Sequence, residues 1–407
     1  METLQPKLRF PEFEGTWEFK SLREITSLIT KGTTPKTFSE NGVNFIKIEC
    51  LNGHNIDTSK CLFIDEKTHN KELKRSILQE NDLLFAIAGA TIGKCTTVKK
   101  EALPANTNQA LAIIRLKEKE NKDYIFQILT SECMSKYIKD NISVGAQPNL
   151  NLEQINSFSF SYPSHEEQTR IANFLSSVDE KLNLLKEKKA LLEDYKKGIM
   201  QKIFNQEIRF KDDNGNDFEE WQEKTIAKIC TKIQSGGTPK STNKDYYDGN
   251  IPFLSIADMT KQGKYIEYTS NSISEYGLKN SSSWIVPVNS IIYSMYASVG
   301  FVAINKIPIA TSQAVLNLIL EQDICVDYIY YFLLDFQKYL AEYITTGTQG
   351  NLNAQTVKGF VVPIPSSEEQ TKIANFLSAI DEKIALVSNQ IQDTQEYKKG
   401  LLQQMFV

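Results

Sequence analysis

The sequence predicts an α+β protein with two homologous mixed α/β domains, separated by two long helices that form an antiparallel intramolecular coiled coil with pseudo-two-fold symmetry. Two observations predict this architecture. The segment Pro163–Leu182 recurs as Pro365–Ile384, with 15 of 20 positions identical. In both copies, and for some twenty residues beyond them, apolar residues step by three and four over about five heptads, as in a long helix that buries one seam.

The duplication covers more than these two segments. Both helical copies keep a constant offset of 202 residues, whereas upstream the offset drifts: "KGTTPK" at Lys31 answers "SGGTPK" at Ser235, 204 residues later. Loops accept insertions, but one residue added to a packed helix turns its apolar face by about 100°. We therefore predict two domains, 1–162 and 207–364, and two helical regions, 163–206 and 365–407.

The domains are predicted to mix strands and helices. Short apolar runs rich in β-branched and aromatic residues predict strands; they are "VNFIKIECL", "NDLLFAIAG" and "LAIIRL" in the first domain and "IPFLSIADM", "NSIIYSMYA" and "AVLNLIL" in the second. The segments "DYIFQILTSECMSKYIKDN" and "DYIYYFLLDFQKYLAEYIT" each predict one amphipathic helix.

Each long helix is predicted to begin at a capping box, Ser164-x-x-Glu167 in the first copy and Ser366-x-x-Glu369 in the second. The apolar seam then comprises Ile171, Leu175, Val178, Leu182 and Leu185 in the first helix, and Ile373, Leu377, Ile380, Ile384 and Val387 in the second. Helices of this length extend about 60 Å, so their seams need a partner. The simplest solution pairs them with each other; the alternative packs each helix on its own domain.

Three lysines interrupt the seam, Lys189, Lys196 and Lys398. They either set the register of the two helices or extend past the seam to solvent.

Chemistry of the common enzyme classes is missing from the sequence. There is no G-K-[ST] phosphate loop, no H-E-x-x-H, and no Pro-Pro or Pro-Asp dipeptide, as adenine methyltransferases and many nucleases use. The six cysteines contain no CxxC pair and only three histidines occur, so we expect neither a disulfide framework nor a metal site. The acidic pairs Glu166-Glu167 and Glu368-Glu369 fall in first helical turns, where acids offset the helix dipole.

No apolar run approaches the ~20 residues that span a bilayer, and the first residues lack a secretion signal. We therefore expect a cytoplasmic protein. Two related domains without catalytic residues indicate a bivalent binding protein or a scaffold. Duplex DNA presents equivalent faces every ~34 Å, and domains of different sequence would recognise two different half-sites. The net charge of −4 means that any DNA-facing surface depends on local placement of lysines.

The repeated motifs identify a family resemblance. The sequence contains "P-S-x-E-E-Q-T-[RK]-I-A-N-F-L-S" and "G-x-Q-x-N-L-N" twice, and "GGTPKSTNKDYYDGNIPFLSIADM" once, from Gly236 to Met259. Together they resemble the DNA-specificity subunit of type I restriction–modification enzymes, over essentially the full length. The first copy departs from the family pattern, because "GTTPKTFSENGVNFIKIECL" lacks the Tyr-Tyr-x-Gly-Asn-Ile-Pro part.

The resemblance implies that 1–162 and 207–364 are target recognition domains for a bipartite, asymmetric DNA target. It implies two modification subunits that dock on the helical regions, bind S-adenosylmethionine and methylate adenine. It also implies two restriction subunits for Mg- and ATP-dependent translocation and cleavage. This chain would then be a non-catalytic subunit that holds no cofactor itself.

Candidate DNA contacts lie at equivalent positions of the two domains. Thr34, Lys36, Thr238, Lys240 and Ser241 lie in Gly-Thr-Pro loops suited to phosphate contact. Lys47 and Ser255 take parallel positions on predicted strands, and Asn108, Gln109, Ser312 and Gln313 carry side chains able to contact base edges. The alternatives are solvated lysines in a turn and structural hydrogen bonds for the glutamines. Base-specific contacts should differ between the copies, which favours the divergent segments 52–80 and 260–283.

Three other functions remain open from the residues alone. The chain is a stand-alone DNA-binding protein, a nuclease or methyltransferase that acts by itself, or a coiled-coil scaffold without DNA. Salt dependence separates the last from the others, because phosphate contacts make affinity fall with salt.

Overall fold

The computed structural model describes residues 5–142, 148–343 and 352–406. They form two compact units, Met1–Lys186 with Asn389–Val407, and Glu187–Ser388. The first residues of the repeated "G-x-Q-x-N-L-N" motif, with Gln147, Gln349 and Asn351, lie outside the described residues. In the described ranges, every helix is too short or too polar to cross a membrane.

The domain of the first unit contains small sheets flanked by short helices. Its elements are β1 Glu18–Ser21, α1 Leu22–Ile25, β2 Thr26–Lys31, β3 Val43–Ile46, β4 Leu51–Asn52, β5 Asn55–Ile56, β6 Leu62–Ile64, β7 Leu83–Ala86, β8 Cys95–Thr97, β9 Ala105–Thr107, β10 Leu111–Leu116, α2 Lys122–Leu129, α3 Glu132–Asn141, α4 Leu152–Ser157 and β11 Ser159–Tyr162. The sheets have the orders β2-β10-β7-β8, β6-β3-β9, β1-β11 and β4-β5. The long helix α5, His165–Phe204, follows.

The domain of the second unit repeats this plan. Its elements are β12 Gln222–Thr225, β13 Cys230–Ser235, β14 Tyr247–Leu254, α6 Ile256–Gln262, β15 Tyr265–Ile266, β16 Asn271–Ile273, α7 Glu275–Lys279, β17 Ile291–Ser294, β18 Val302–Asn305, β19 Ala310–Thr311, β20 Val315–Leu320, α8 Val326–Phe336, α9 Ala354–Lys358 and β21 Val361–Ile364. The sheets have the orders β13-β20-β17-β18-β15, β16-β14-β19 and β12-β21. The second long helix is α10, Ser367–Met405.

Strand for strand, β2-β10-β7-β8 matches β13-β20-β17-β18, and β6-β3-β9 matches β16-β14-β19. The middle strand of the smaller sheet pairs in parallel with its C-terminal neighbour in both copies. The copies differ after that middle strand. The first forms the hairpin β4–β5, and the second forms α6 and the extra strand β15. The duplication is therefore a duplication of fold. The copies diverge in structure over 51–56 and 256–266, which overlap the start of the predicted segments 52–80 and 260–283.

Some predicted elements need correction. The "IADM" end of a predicted strand is the start of α6, because Ser255 caps a helix there. Each predicted amphipathic helix is interrupted. The first breaks between α2 and α3, where the Ser131 hydroxyl donates to the carbonyl of Ile128 at 2.7 Å and so satisfies a helix-end acceptor. The second changes after α8 into the 3-10 helix Gln337–Glu342.

The residues of the predicted seam lie away from solvent within each unit. All ten predicted seam residues are buried or half-buried. Lys196 pairs with Asp381 at 2.6 Å in the second unit, and Lys398 pairs with Asp179 at 2.6 Å in the first. These two seam lysines join the helices, whereas Lys189 contacts Glu193 of its own helix at 3.8 Å. The helix segments run antiparallel, since the start of one shares a core with the end of the other.

The packing combines both arrangements that the sequence left open. In the first unit the start of α5, with Ile171 and Leu175, packs on domain residues such as Tyr124, together with Leu401 and Met405 from the end of α10. The second unit repeats this with the start of α10 and the end of α5. Each domain core therefore includes both helices.

The capping boxes are only half formed. The Ser164 hydroxyl accepts from the backbone N–H of Glu167 at 3.3 Å, as predicted. The Glu167 carboxylate, however, binds Arg9 and the indole N–H of Trp17. This buried carboxylate therefore fastens the N-terminal segment to α5, rather than capping the helix.

Candidate nucleic-acid interface

A hydrogen-bonded threonine–glutamine pair recurs in both domains. The Thr34 hydroxyl donates to Oε1 of Gln109 at 2.5 Å, and the Thr238 hydroxyl donates to Oε1 of Gln313 at 2.7 Å. All four side chains are exposed. The threonine engages the amide oxygen, so the amide N–H groups are the donors that a ligand would meet. The same donor is thus presented once in each unit.

Glycine holds the threonine loop against the glutamine turn. A Cβ on Gly32 would lie 2.0 Å from the carbonyl oxygen of Thr107, and one on Gly236 would lie 1.8 Å from that of Thr311. The backbone N–H of Thr33 donates to the same Thr107 oxygen at 3.0 Å. Only glycine permits this approach, and it places the loop directly beside the turn.

Cationic side chains lie on the same loops. Lys36 and Lys240 are exposed two residues after each paired threonine, and Ser241 is exposed next to Lys240. Arg75, in the divergent segment of the first domain, donates to the Thr33 hydroxyl at 3.3 Å. Hydroxyl, amide and cationic groups suit contact with phosphate oxygens.

Other candidate residues are engaged within the domain. The Asn108 Oδ1 accepts from the backbone N–H of Ala110 at 3.1 Å, and the Ser312 hydroxyl accepts from that of Ala314 at 3.3 Å. Both therefore shape the turn that carries the glutamine. Lys47 is half-buried beyond the end of β3 and pairs with Glu49 at 2.5 Å.

Ser255 occupies the equivalent position beyond the end of β14. Its hydroxyl donates to Asp258 at 2.7 Å and accepts from the Asp258 backbone. Burial raises the pKa of Asp258, but hydrogen bonds from Ser270 and Ser255 outweigh it and leave the pKa below its ordinary value. The Ser255 side chain is thus occupied as a helix cap.

Each divergent segment contacts the helix pair of its own unit. In the first, Nε2 of His54 lies 2.9 Å from Oδ2 of Asp179, which also accepts from Gln127 at 3.0 Å. Burial raises the pKa of Asp179, but hydrogen bonds from His54, Lys398 and Gln127 outweigh it and lower the pKa to about 2. This carboxylate is therefore ionised at physiological pH.

In the second unit the equivalent contact uses a lysine. Lys264 donates to the Tyr331 hydroxyl at 3.0 Å and to the Ser378 hydroxyl at 3.2 Å. Tyr331 in turn donates to Asp381 at 2.6 Å. Lys264 also pairs with Asp327 at 2.7 Å.

The long helices expose large apolar side chains away from the seam. These are Leu184, Leu191 and Tyr195 on α5, and Leu386 and Tyr397 on α10, each more than half exposed. With the seam at heptad positions a and d, they occupy c and g, on one side of the helix. We call them the exposed apolar residues of the helices.

In the described ranges, no group of three or more His, Cys, Asp or Glu side chains is arranged to hold a metal ion. The comparisons with known proteins then decide the family. The model of the type I restriction modification DNA specificity domain matches residues 14–194 and again 218–395. The chain belongs to this family.

Curated relatives agree with the family match. The chain is 31% identical over 208 residues to the specificity subunit of the type I restriction enzyme MjaIX from Methanocaldococcus jannaschii, an alignment that covers 50% of this chain and 48% of that one. It is 23% identical over 351 residues to the MjaVIII specificity subunit of the same organism, covering 83% and 80%.

Solved structures share the fold. The type I restriction–modification S subunit from M. genitalium superimposes with a TM-score of 0.58 at 16% identity, over 99% of both chains. A chain from a study of complex assembly and conformational transition of a type I R-M system gives 0.61 at 15% identity, over 95% and 96%. These likenesses concern the fold.

The sequence pattern did not identify Arg75 or the exposed apolar residues of the helices. Arg75 lies 42 residues from Thr33 in a segment whose sequence differs between the copies, so local pattern gives no signal for it. Apolar residues at c and g positions were a usable signal. They stand outside the seam, where a soluble helix normally carries polar side chains.

Proposed function

We propose that this chain is the DNA-recognition subunit of a type I restriction–modification complex. It recognises a bipartite, asymmetric target through one half-site per domain. It directs adenine methylation and restriction that partner subunits perform. The observation that carries the proposal is the duplicated fold, which repeats one exposed polar loop and differs in the segments next to it.

The repeated and divergent parts support different kinds of DNA contact. The threonine–glutamine pairs and the lysines Lys36 and Lys240 are the same in both domains, while the two half-sites of an asymmetric target differ. A group common to both domains suits what is common to both half-sites, the phosphate backbone. The divergent segments 52–80 and 260–283 then supply the base contacts.

The helices supply the surface for the modification subunits. In the second unit Leu191, Tyr195 and Leu386 are exposed on the same side of the helix pair, and in the first unit Leu184 and Tyr397 are. We take these side chains, which share one side of the helix pair, as the contact surface for the modification subunits. One modification subunit docks on each of these two surfaces, and two restriction subunits complete the assembly.

The chemistry resides in the partners. This chain belongs to the family of specificity subunits, which are non-catalytic components of type I restriction–modification systems. S-adenosylmethionine belongs to the modification subunits, and ATP with Mg²⁺ to the restriction subunits. The complex acts on chromosomal and invading DNA, which places it in the cytoplasm.

Mapping of methylated adenines across a host genome tests this proposal. A host lacking type I methylation expresses the cognate modification subunit alone or together with this chain, and methyl-adenine is mapped by sequencing. We expect a bipartite motif, with one methylated adenine per strand, only when both chains are present. If both chains are soluble and associated but no motif appears, the chain is a scaffold and the recognition function is wrong.

A further inference from the structure

The two domains contact their helices through different side chains beside an equivalent carboxylate. The contact is direct in the first unit and passes through a tyrosine hydroxyl in the second. Asp179 and Asp381 occupy the same position of the repeated helices, and each binds a seam lysine of the other helix. The side chain that the domain adds is His54 in the first unit and Lys264, through Tyr331, in the second. Both added residues come from the segments in which the domains diverge.

The contact between His54 and Asp179 crosses a cavity between the β4–β5 turn and α5. A cavity of about 480 Å³ separates the β4–β5 turn from α5 and is lined by Gly53, Lys94 and Lys186, among others. His54 crosses this gap, with its ring 3.8 Å from that of Phe126 and its Nε2 at Asp179. The hydrogen bond from His54 therefore spans this gap between the hairpin and the helix.

The second contact is enclosed by aromatic rings. The Lys264 ammonium lies 4.4 Å from the ring centre of Tyr331 and 5.1 Å from that of Tyr330. It is only 13% exposed and pairs with Asp327. A cation held by rings, hydroxyls and a carboxylate has a defined position, so the turn before β15 is fixed on α8 and α10.

We propose that His54 and Lys264 are positioning residues, which fix the divergent segment of each recognition domain on the helix pair of its own unit. The inference rests on the proposed function for its biological role: the repeated helices offer the same carboxylate, and each domain brings its own donor. The angle of the base-contacting segment to the helices is then set by one side chain per unit.

Hydrogen exchange on the purified full-length chain tests the contact independently of any activity. His54→Ala should raise exchange of the 51–60 amides about tenfold or more, because local opening sets the rate. It should leave β7 and β10 as in wild type. His54→Gln, which keeps an N–H donor, should restore protection, and the exposed His165→Ala is the control. Unchanged exchange in His54→Ala would overturn the proposal.

Methylation of DNA with altered spacers tests the positioning. The wild-type chain with its modification subunit is assayed on targets whose spacer is native, one base pair shorter or one longer. One base pair shifts a half-site by about 3.4 Å, so a fixed domain should reject both altered spacers. His54→Ala should lower the ratio of methylation on the native spacer to methylation on the altered spacers about threefold or more. Lys264→Met should lower the same ratio through the other domain.

Two results contradict the positioning role. One is an equal loss of methylation on all spacers, which marks a purely structural residue. The other is increased exchange without any change in spacer preference. If the wild-type pair methylates no target, the proposed function fails, while the exchange experiment still decides whether His54 holds the divergent segment of the first unit.

Discussion

The guanidinium of Arg9 donates hydrogen bonds to both carboxylate oxygens of Glu167, at 2.7 and 2.8 Å, across 158 residues of sequence. The second unit repeats the arrangement with Arg209 and Glu369. In each case a tryptophan indole donates to the same carboxylate. The repeated Glu-Glu-Gln of the long helices therefore encodes an attachment site for the first residues of each domain.

Breaking this attachment should destabilise the first unit. Glu167 is only 2% exposed, and removing one partner of a buried ion pair leaves the other unpaired at a cost of about 3 kcal/mol. Glu167→Gln should therefore lower the urea midpoint of the first unit, followed by Trp17 fluorescence in a chain with Trp221 and Trp284 replaced by Phe. The exposed neighbour Glu166→Gln is the control. Equal midpoints for both variants would contradict the role of the pair.

Stability should depend on acid through Asp179. Its pKa is about 2 in the folded chain, below the ~3.9 of an unfolded aspartate. A carboxylate with a lowered pKa stabilises the fold above the unfolded pKa, and that contribution, roughly 2.5 kcal/mol, is lost as pH falls from 4 through 2.

The measurement compares wild type with Asp179→Asn in urea at several pH values. Wild type should be the more stable above pH 5, and the difference should shrink as the pH falls from 4 towards 2. A difference that stays constant over this range would mean that the charge of Asp179 contributes nothing.

The loop lysines should govern the salt dependence of DNA binding. Each phosphate contact that is lost lowers the slope of log affinity against log salt by about 0.9. Lys36→Gln and Lys240→Gln should each reduce the slope by about this amount and weaken binding to all sequences alike. Binding is measured by fluorescence anisotropy with the complete methyltransferase complex.

Lys119→Gln is the matched control, because Lys119 is exposed beyond the opposite end of β10 from the glutamine turn. Its slope should equal that of wild type. If Lys36→Gln also keeps the wild-type slope, the loop does not contact phosphate.

The exposed apolar residues should carry the docking of the modification subunit. Leu191→Glu places a charge in an apolar contact and should weaken association about tenfold or more. Ala190→Glu introduces the same side chain at the adjacent exposed position, which faces the other side of the helix pair. Association is measured by analytical ultracentrifugation of the two purified chains. Equal effects of both variants would place the docking surface elsewhere.

Periodicity predicted the parts of this fold that depend on local pattern. The seams of α5 and α10 follow from the heptad spacing of residues such as Leu175 and Leu377, and the strands β7, β10, β17 and β20 from short apolar runs. The helix breaks at Ser131 and Phe336 were not predicted, because the apolar spacing continues through both positions. At Ser131 a side-chain hydroxyl binds a helix-end carbonyl, and after Phe336 the packed chain continues as a 3-10 helix.

Long-range polar contacts were beyond the sequence. The donors Arg9 and His54 lie 158 and 125 residues from their carboxylates, and nothing local marks such a partner. The sequence left two alternatives for the seam lysines, because a lysine at a seam position can extend to solvent as readily as it can bind a carboxylate on the facing helix. The positions of Asp179 and Asp381 on the facing side decide between them.

Each domain should recognise one half of a bipartite target. The most direct measurement replaces residues 1–162 with the corresponding domain of a relative of known target, coexpresses the hybrid with the modification subunit, and maps methyl-adenine across the genome. We expect a motif in which one half changes to the donor's half-site while the other half stays as in wild type. A motif that changes in both halves, or in neither, with the hybrid folded and bound to its partner, would contradict it.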